Sequence, residues 1–186
     1  CFTIGGALSA VVFGQFTGYI SQYLVTTSTP EFTYQVISSV VAVNAAVVIC
    51  LQYIVGKRIT NQHLNRWLTA GFSLFLLGVV GFALSTSVLH WALAVAIFTL
   101  GEVIVFPAEY MFIDRIAPNH LRGMYYGAQN LSSLGGGLGP ILCGFALASQ
   151  PAHFMFYMLA AFVVAGGCFY LMGASYSKRY DAGSRR

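Results

Sequence analysis

All nine Lys and Arg residues of this 186-residue chain fall in three short polar segments: 57 to 66, 114 to 122, and the tail from 176. The other connections between its long hydrophobic stretches, 26 to 32, 86 to 90 and 150 to 153, hold no Lys or Arg. A multi-pass membrane protein whose basic loops stay in the cytoplasm shows this alternation. The charge map thus sets a topology before any motif is read.

Composition agrees, because 58% of the residues are hydrophobic and 8% are charged, against about 25% charged in soluble domains. A soluble core of this size has no room for so much apolar surface. Crossing the hydrocarbon region takes about 20 helical residues, so the chain divides into six spans at 1 to 25, 33 to 56, 67 to 85, 91 to 113, 123 to 149 and 153 to 175. The apolar runs are continuous rather than alternating, which argues against strands and for an all-α membrane bundle. An even number of crossings puts both ends in the cytoplasm, and the tail, 176 to 186, reads as a basic solvated anchor able to meet anionic lipid. The net charge of +4 is accounted for by topology and does not call for nucleic acid.

Cys1, Cys50, Cys143 and Cys168 lack the paired spacing of a zinc or redox site and read as free thiols that pack. His63, His90, His120 and His153 are too dispersed for a metal set. No Ser-His-Asp, HExxH or Cys-His arrangement supports an enzyme, and no cofactor is implied. The chain starts inside an apolar run without Met or a basic flank, so the expectation is a piece of something longer rather than a signal peptide.

Polar side chains within the spans follow a pattern. Gln15 lies near the middle of the first, Asn44 of the second and Glu102 of the fourth, with Gln129 and Asn130 in the fifth. The third span carries only Thr69, Ser73 and Ser85, and the sixth has no mid-span carboxylate or amide. The order polar, polar, apolar repeats, as expected of inverted repeats of three helices with each third helix outside, facing lipid.

The segment GEVIVFPAEYMFID in the fourth span is the most informative. Glu102 and Glu109 are seven apart, on nearly one helical face and separated by about 10.5 Å of rise, and Phe106 and Tyr110 complete that face. A carboxylate is expensive to hold ionised against lipid, so these acids are expected to be buried against protein and to bind a proton or meet a cation. Glu102, at mid-depth, is the sharper candidate. Glu109 sits nearer the cytoplasmic end, where an ion pair with Arg115 or Arg122 is an equal alternative. Pro107, between the acids, removes the helical donor for the Val103 carbonyl and favours a kink.

In the fifth span, GAQNLSSLGGGLGPILCG gives Gly135 and Gly139 the spacing that lets helix backbones approach closely, and Pro140 frees another carbonyl. These four positions, Pro107, Gly135, Gly139 and Pro140, are the candidate hinge. No GK[ST] follows, so the glycines are not a phosphate loop. Gly14 and Gly18 repeat the spacing in the first span and read as packing. Gln15 and Tyr19, with Asn44, Phe106, Tyr110 and Asn130, are the candidate lining of a cavity for a small amphipathic or aromatic solute, while Tyr23 reads as an interfacial anchor.

The run LGEVIVFPAEYMFIDRIAPNHLRGMYYGAQNLSSLGGGLGP resembles the tenth helix, cytoplasmic turn and eleventh helix of the major facilitator superfamily. VNAAVVICLQYIVGKR, with SQYLV before it, is similar to the YdeE-type branch of bacterial drug and small-peptide exporters. GGGLGP resembles the glycine and proline motif of drug:proton antiporters, with a spacing from Gly127 that departs from it. The resemblance covers essentially the whole chain. It implies the C-terminal six-helix half of a twelve-helix fold in a bacterial inner membrane, with the N-terminal half as partner. It also implies a small-molecule substrate held between the halves, and proton-coupled export by alternating access. Glu102 would then be the protonation site or cation contact. A facilitator or importer of sugars, nucleosides or organic ions on the same fold is the first rival, and a six-helix membrane interaction module the second.

Overall fold

The computed structural model describes residues 2–183, so Cys1 and residues 184–186 lie outside it, as do the side chains of Phe2, Asn61 and positions 174 onward. The described residues form eight α-helices: α1 (Phe2–Phe13), α2 (Phe16–Thr27), α3 (Pro30–Arg58), α4 (Leu64–Leu84), α5 (Val88–Ile116), α6 (Arg122–Asn130), α7 (Ser133–Ser149) and α8 (Phe154–Gly183). A short 3-10 turn, Asn61–His63, precedes α4. Five spans are long and apolar enough to cross a membrane, with α6 and α7 counted together as one. The pair α1 and α2, bent by 43° at its break, is a sixth candidate when taken as one broken span.

Local chemistry explains why two helices outrun the expected spans. Thr29 caps α3 through its side chain to the Phe32 amide (3.4 Å), with Pro30 in the first turn. Glu31 at the start of α3 and Lys57 and Arg58 at its end complement the helix dipole. Ser87 caps α5 in the same way through the His90 amide (3.3 Å). Hydropathy alone places the boundary at the last apolar residue, whereas a capping hydroxyl carries the helix on into the polar connection. At the other end of the chain, α8 continues to Gly183, so the segment from 176 begins as helix rather than as a separate tail. The anchor reading of its basic side chains and the thiol reading of Cys1 fall outside the described residues.

The heaviest packing is α4 on α5, α3 on α5, α1 on α8, α1 on α7, and α4 on α8. Exchanging the first three crossings for the last three maps this set onto itself. With α1/α2 matched to α5, α3 to α6/α7 and α4 to α8, the pair α4–α5 becomes α8–α1, and α3–α5 becomes α7–α1. Each repeat has three crossings, an odd number, so the two run in opposite senses through the membrane.

Aromatic rings fill the layer where α4, α5 and α8 meet the first crossing. Phe75 stacks on Phe13 at 5.7 Å and meets Phe98 at 4.9 Å, Phe82 stacks on Trp91 at 5.6 Å, and Tyr23 meets Phe156 edge-on at 4.7 Å. Such pairs are worth about 0.5–1.5 kcal/mol each beyond the area they bury. Tyr23 is therefore a packing residue in this cluster rather than a free interfacial anchor.

The expectation places the polar-free third and sixth crossings outermost, whereas within this chain α3 is the least covered of the five long spans. The most apolar stretch of α3 is only 6% buried, against 39% for α4 and 33% for α8. α4 and α8 pack on each other and on α5 and α1 through their aromatic residues, while α3 finds α5 on one side and little else.

Candidate functional site

Two of the six crossings are interrupted, and the interruptions meet. In the first, α1 closes with the Gly14 amide donating to the Ala10 carbonyl (2.8 Å), and α2 opens with Gln15 in a non-helical conformation and the Gly18 amide on the Gln15 carbonyl (3.0 Å). In the fifth, the Ser132 amide donates to the Gln129 carbonyl (2.8 Å) and the Gly135 amide to the Ser132 carbonyl (2.9 Å). These i to i+3 bonds mark a tightened turn between α6 and α7. Pro107 and Pro140 are not where the chain breaks. Both lie inside continuous helix, because one missing backbone bond is outweighed where buried neighbours such as Val105, Ala108 and Glu109 hold the turn.

What brings the interruptions together is a seam without side chains. A Cβ at Gly135 would run into the Ala7 carbonyl, one at Gly139 into the Val11 carbonyl, and one at Gly14 into the Gly136 backbone. α1 and α7 therefore lie backbone to backbone, an approach that only glycine allows. Further along, Pro140 packs across Gly18 on α2.

Beside this seam is a cavity of about 360 Å³. Gln15, Glu102, Phe106, Glu109, Tyr110 and Asn130 line it, together with Gln129, Ser132 and Ser133 from the second interruption. Six of the residues picked out for a site are thus in one place. Phe106 and Tyr110 form an aromatic wall, their rings 5.3 Å apart, and Phe13 meets Phe106 edge-on at 6.3 Å.

The two carboxyl groups are held differently. Glu109 is 3% exposed. Its Oε1 lies 3.0 Å from the Ser9 hydroxyl, whose single proton is shared with the Gly6 carbonyl at the same distance, and its Oε2 accepts from the Gln129 amide at 3.2 Å. The Tyr170 hydroxyl is a further hydrogen-bonding neighbour. Arg122, one of its expected ion-pair partners, instead reaches Asp114 at 3.8 Å on the polar surface. The reason is geometric, since Glu109 points into the bundle while the basic residues of this segment stay with the polar connection. Glu102 is half-buried, and the Asn44 amide donates both to its Oε2 (3.2 Å) and to the Thr99 hydroxyl (3.0 Å). Asn44 thus acts on the site by holding Glu102 rather than as a wall of the cavity.

Tyr19 does not belong to this group. It is fully buried, and its hydroxyl donates to the Val12 carbonyl at 2.7 Å. Four residues after Gln15 on an unbroken helix it would share that face, but Gln15 stands ahead of α2 in a non-helical conformation (φ −144°, ψ 51°), so the four-residue spacing does not carry over. Ser9, Thr99 and Tyr170 are the partners that sequence reading passes over. Gln129 is visible as a polar residue in the fifth span, yet nothing in the sequence says that it, rather than its neighbour Asn130, turns to Glu109.

The family model for the Major Facilitator Superfamily matches residues 2–140. The chain belongs to the major facilitator superfamily. Among curated superfamily members it is 40% identical over 173 residues to the uncharacterized MFS-type transporter YdeE of Escherichia coli (strain K12), covering 92% of this chain and 44% of that protein. It is 25% identical over 167 residues to the MFS-type transporter YqjV of Bacillus subtilis (strain 168), covering 88% of the chain and 40% of the relative. A shorter match, 33% identical over 94 residues, links it to YhjO of the same organism, covering 50% of the chain and 23% of that protein. The chain spans less than half the length of these superfamily relatives. As a superfamily member with this set of apolar helices it is a multi-pass membrane protein, and the carboxyl groups of its uninterrupted α5 share one cavity with residues of the two interruptions.

Proposed function

We propose that the chain is the C-terminal six-helix half of a secondary transporter, a proton-coupled exporter of drugs or small peptides working by alternating access. Its N-terminal partner bundle closes the cavity from the other side. It sits in a bacterial inner membrane with both ends in the cytoplasm, the side of its basic connections.

The observation that carries this reading is the pair of carboxyl groups in one cavity, each held by uncharged donors. An arginine partner would lock a carboxylate in its ionised form. Hydroxyl and amide groups serve either state, because a hydroxyl can turn from donor to acceptor and a side-chain amide carries both functions. A carboxyl so placed can release and take up a proton without losing its partners. The aromatic wall of Phe106 and Tyr110 beside it suits an amphipathic or aromatic solute. The glycine seam, with Pro107 and Pro140, is the part of this half that rocks or bends.

Proteoliposomes carrying the complete two-bundle protein under an imposed proton gradient test the reading. Glu102→Gln and Glu109→Gln are each expected to abolish proton-driven flux while leaving insertion intact. Full proton-driven transport by Glu102→Gln would remove that residue from the coupling role. Flux down the substrate's own gradient with no proton movement would instead identify a facilitator.

A further inference from the structure

A second cavity lies on a different surface, in the cleft between α4 and α8, and shares no lining residue with the first. It measures about 180 Å³, is open on one side, and is walled by Leu68, Leu76, Val163, Val164 and Leu171, with Phe72 among them. The hydroxyls on its rim are already used. Thr69 Oγ donates to the Asn65 carbonyl (2.9 Å) and Ser73 Oγ to the Thr69 carbonyl (2.9 Å). The cleft therefore offers an occupant hydrocarbon surface and almost no hydrogen bonding.

Thr69 and Ser73 also border a shallow hollow, open to the outside, along α4, where Asn65, Arg66 and Ala70 are the other bordering residues. Arg66 is exposed and, among the described residues, forms no ion pair. It shares its connecting segment with Lys57 and Arg58. The apolar cleft thus opens at one end onto a cation, on the basic side of the membrane. From Arg66 to Leu76 the helix rises about 15 Å, half of a hydrocarbon region of about 30 Å. That is the depth of one leaflet.

We propose that this cleft and hollow bind one anionic phospholipid, its phosphate at Arg66 and Asn65 and one acyl chain between α4 and α8. A polar solute has nothing to bind in the cleft, and a zwitterionic lipid brings Arg66 a phosphate whose charge its own cationic headgroup offsets. The site stands independently of the transport reading. It touches the first cavity through Tyr170, which lines the cleft, packs against Phe72 at 5.6 Å, and turns its hydroxyl to Glu109. The acyl chain therefore rests against a residue that braces the buried carboxyl group.

Native mass spectrometry of the complete two-bundle protein, offered equimolar phosphatidylglycerol and phosphatidylcholine with the same acyl chains, tests the site. Phosphatidylglycerol is expected to be retained about fivefold over phosphatidylcholine, the worth of one cation near an anionic surface. Arg66→Gln is expected to lower phosphatidylglycerol retention to the phosphatidylcholine level. Ser73→Phe, which fills the cleft from an exposed position, is expected to lower retention of both. Equal retention of the two lipids by the unaltered protein would overturn the headgroup assignment, and unchanged retention in Ser73→Phe would overturn the cleft.

Discussion

At the scale of single residues, Glu109 is tightly constrained. Its two oxygens lie against the Ser9 hydroxyl and the Gln129 amide in a place almost closed to solvent, and a buried acceptor that loses its donor carries the full cost of its lost hydration. Ser9→Ala is therefore expected to cost about 1–3 kcal/mol, read as the midpoint of unfolding in a detergent titration. Ser21→Ala is the control, because that hydroxyl bonds only the Thr17 carbonyl of its own helix at 2.7 Å, and its loss should change stability far less. Equal effects from the two substitutions would mean that Ser9 does not hold the carboxyl group. The heptad spacing of the two acids was legible in the sequence, as was their shared face with Phe106 and Tyr110. Their partners were not, because Ser9 is 100 residues from Glu109 and a lone serine in an apolar run carries no pattern of its own.

At the scale of the element, the α1–α7 seam decides where the site can be. Gly135 meets the Ala7 carbonyl, whereas nothing lies within 4 Å of a Cβ built at Gly127 in the same crossing. Gly135→Ala is expected to destabilise the bundle by about 1–3 kcal/mol through overpacking. Gly127→Ala is expected to be neutral or to stabilise by up to about 1 kcal/mol through helix propensity. Thermal unfolding of both variants in one detergent checks the contrast, and similar midpoints would show that the seam tolerates a side chain. The glycine spacing in the sequence pointed to close packing, and the interruptions lie at Gly14–Gln15 and Leu131–Ser132, away from both prolines. Proline removes one hydrogen bond wherever it stands, whereas an interruption forms where the crossing geometry of two backbones demands it.

At the scale of the whole molecule, the alternation of basic and non-basic connections leads to a topology that can be tested directly. In a chain whose native cysteines are replaced by alanine, single cysteines at Ser28, Thr86 and Gln150 are expected to react with a membrane-impermeant maleimide added outside intact cells. Cysteines at Gln62 and Asn119 are expected to react only after permeabilisation. Labelling of all five from outside would sink the six-crossing topology. The same scale explains the exposure of α3. It carries Asn44 to the site on one side and leaves most of its most apolar stretch uncovered, as befits a helix with a lipid or protein neighbour beyond this chain.

The sequence by itself determined the class of fold and the identity of the acidic helix. These depend on composition and period, and each is a property of a segment taken alone: an apolar run of sufficient length, a basic connection, two acids seven residues apart. Only the tertiary structure decided that the first and fifth crossings are interrupted, that Tyr19 is turned away while Gln129 is turned in, and that Glu109 is held by neutral donors rather than by arginine. Each of those outcomes depends on the relative rotation and approach of two helices distant in the chain. A helix has no preferred face until its neighbour is in place.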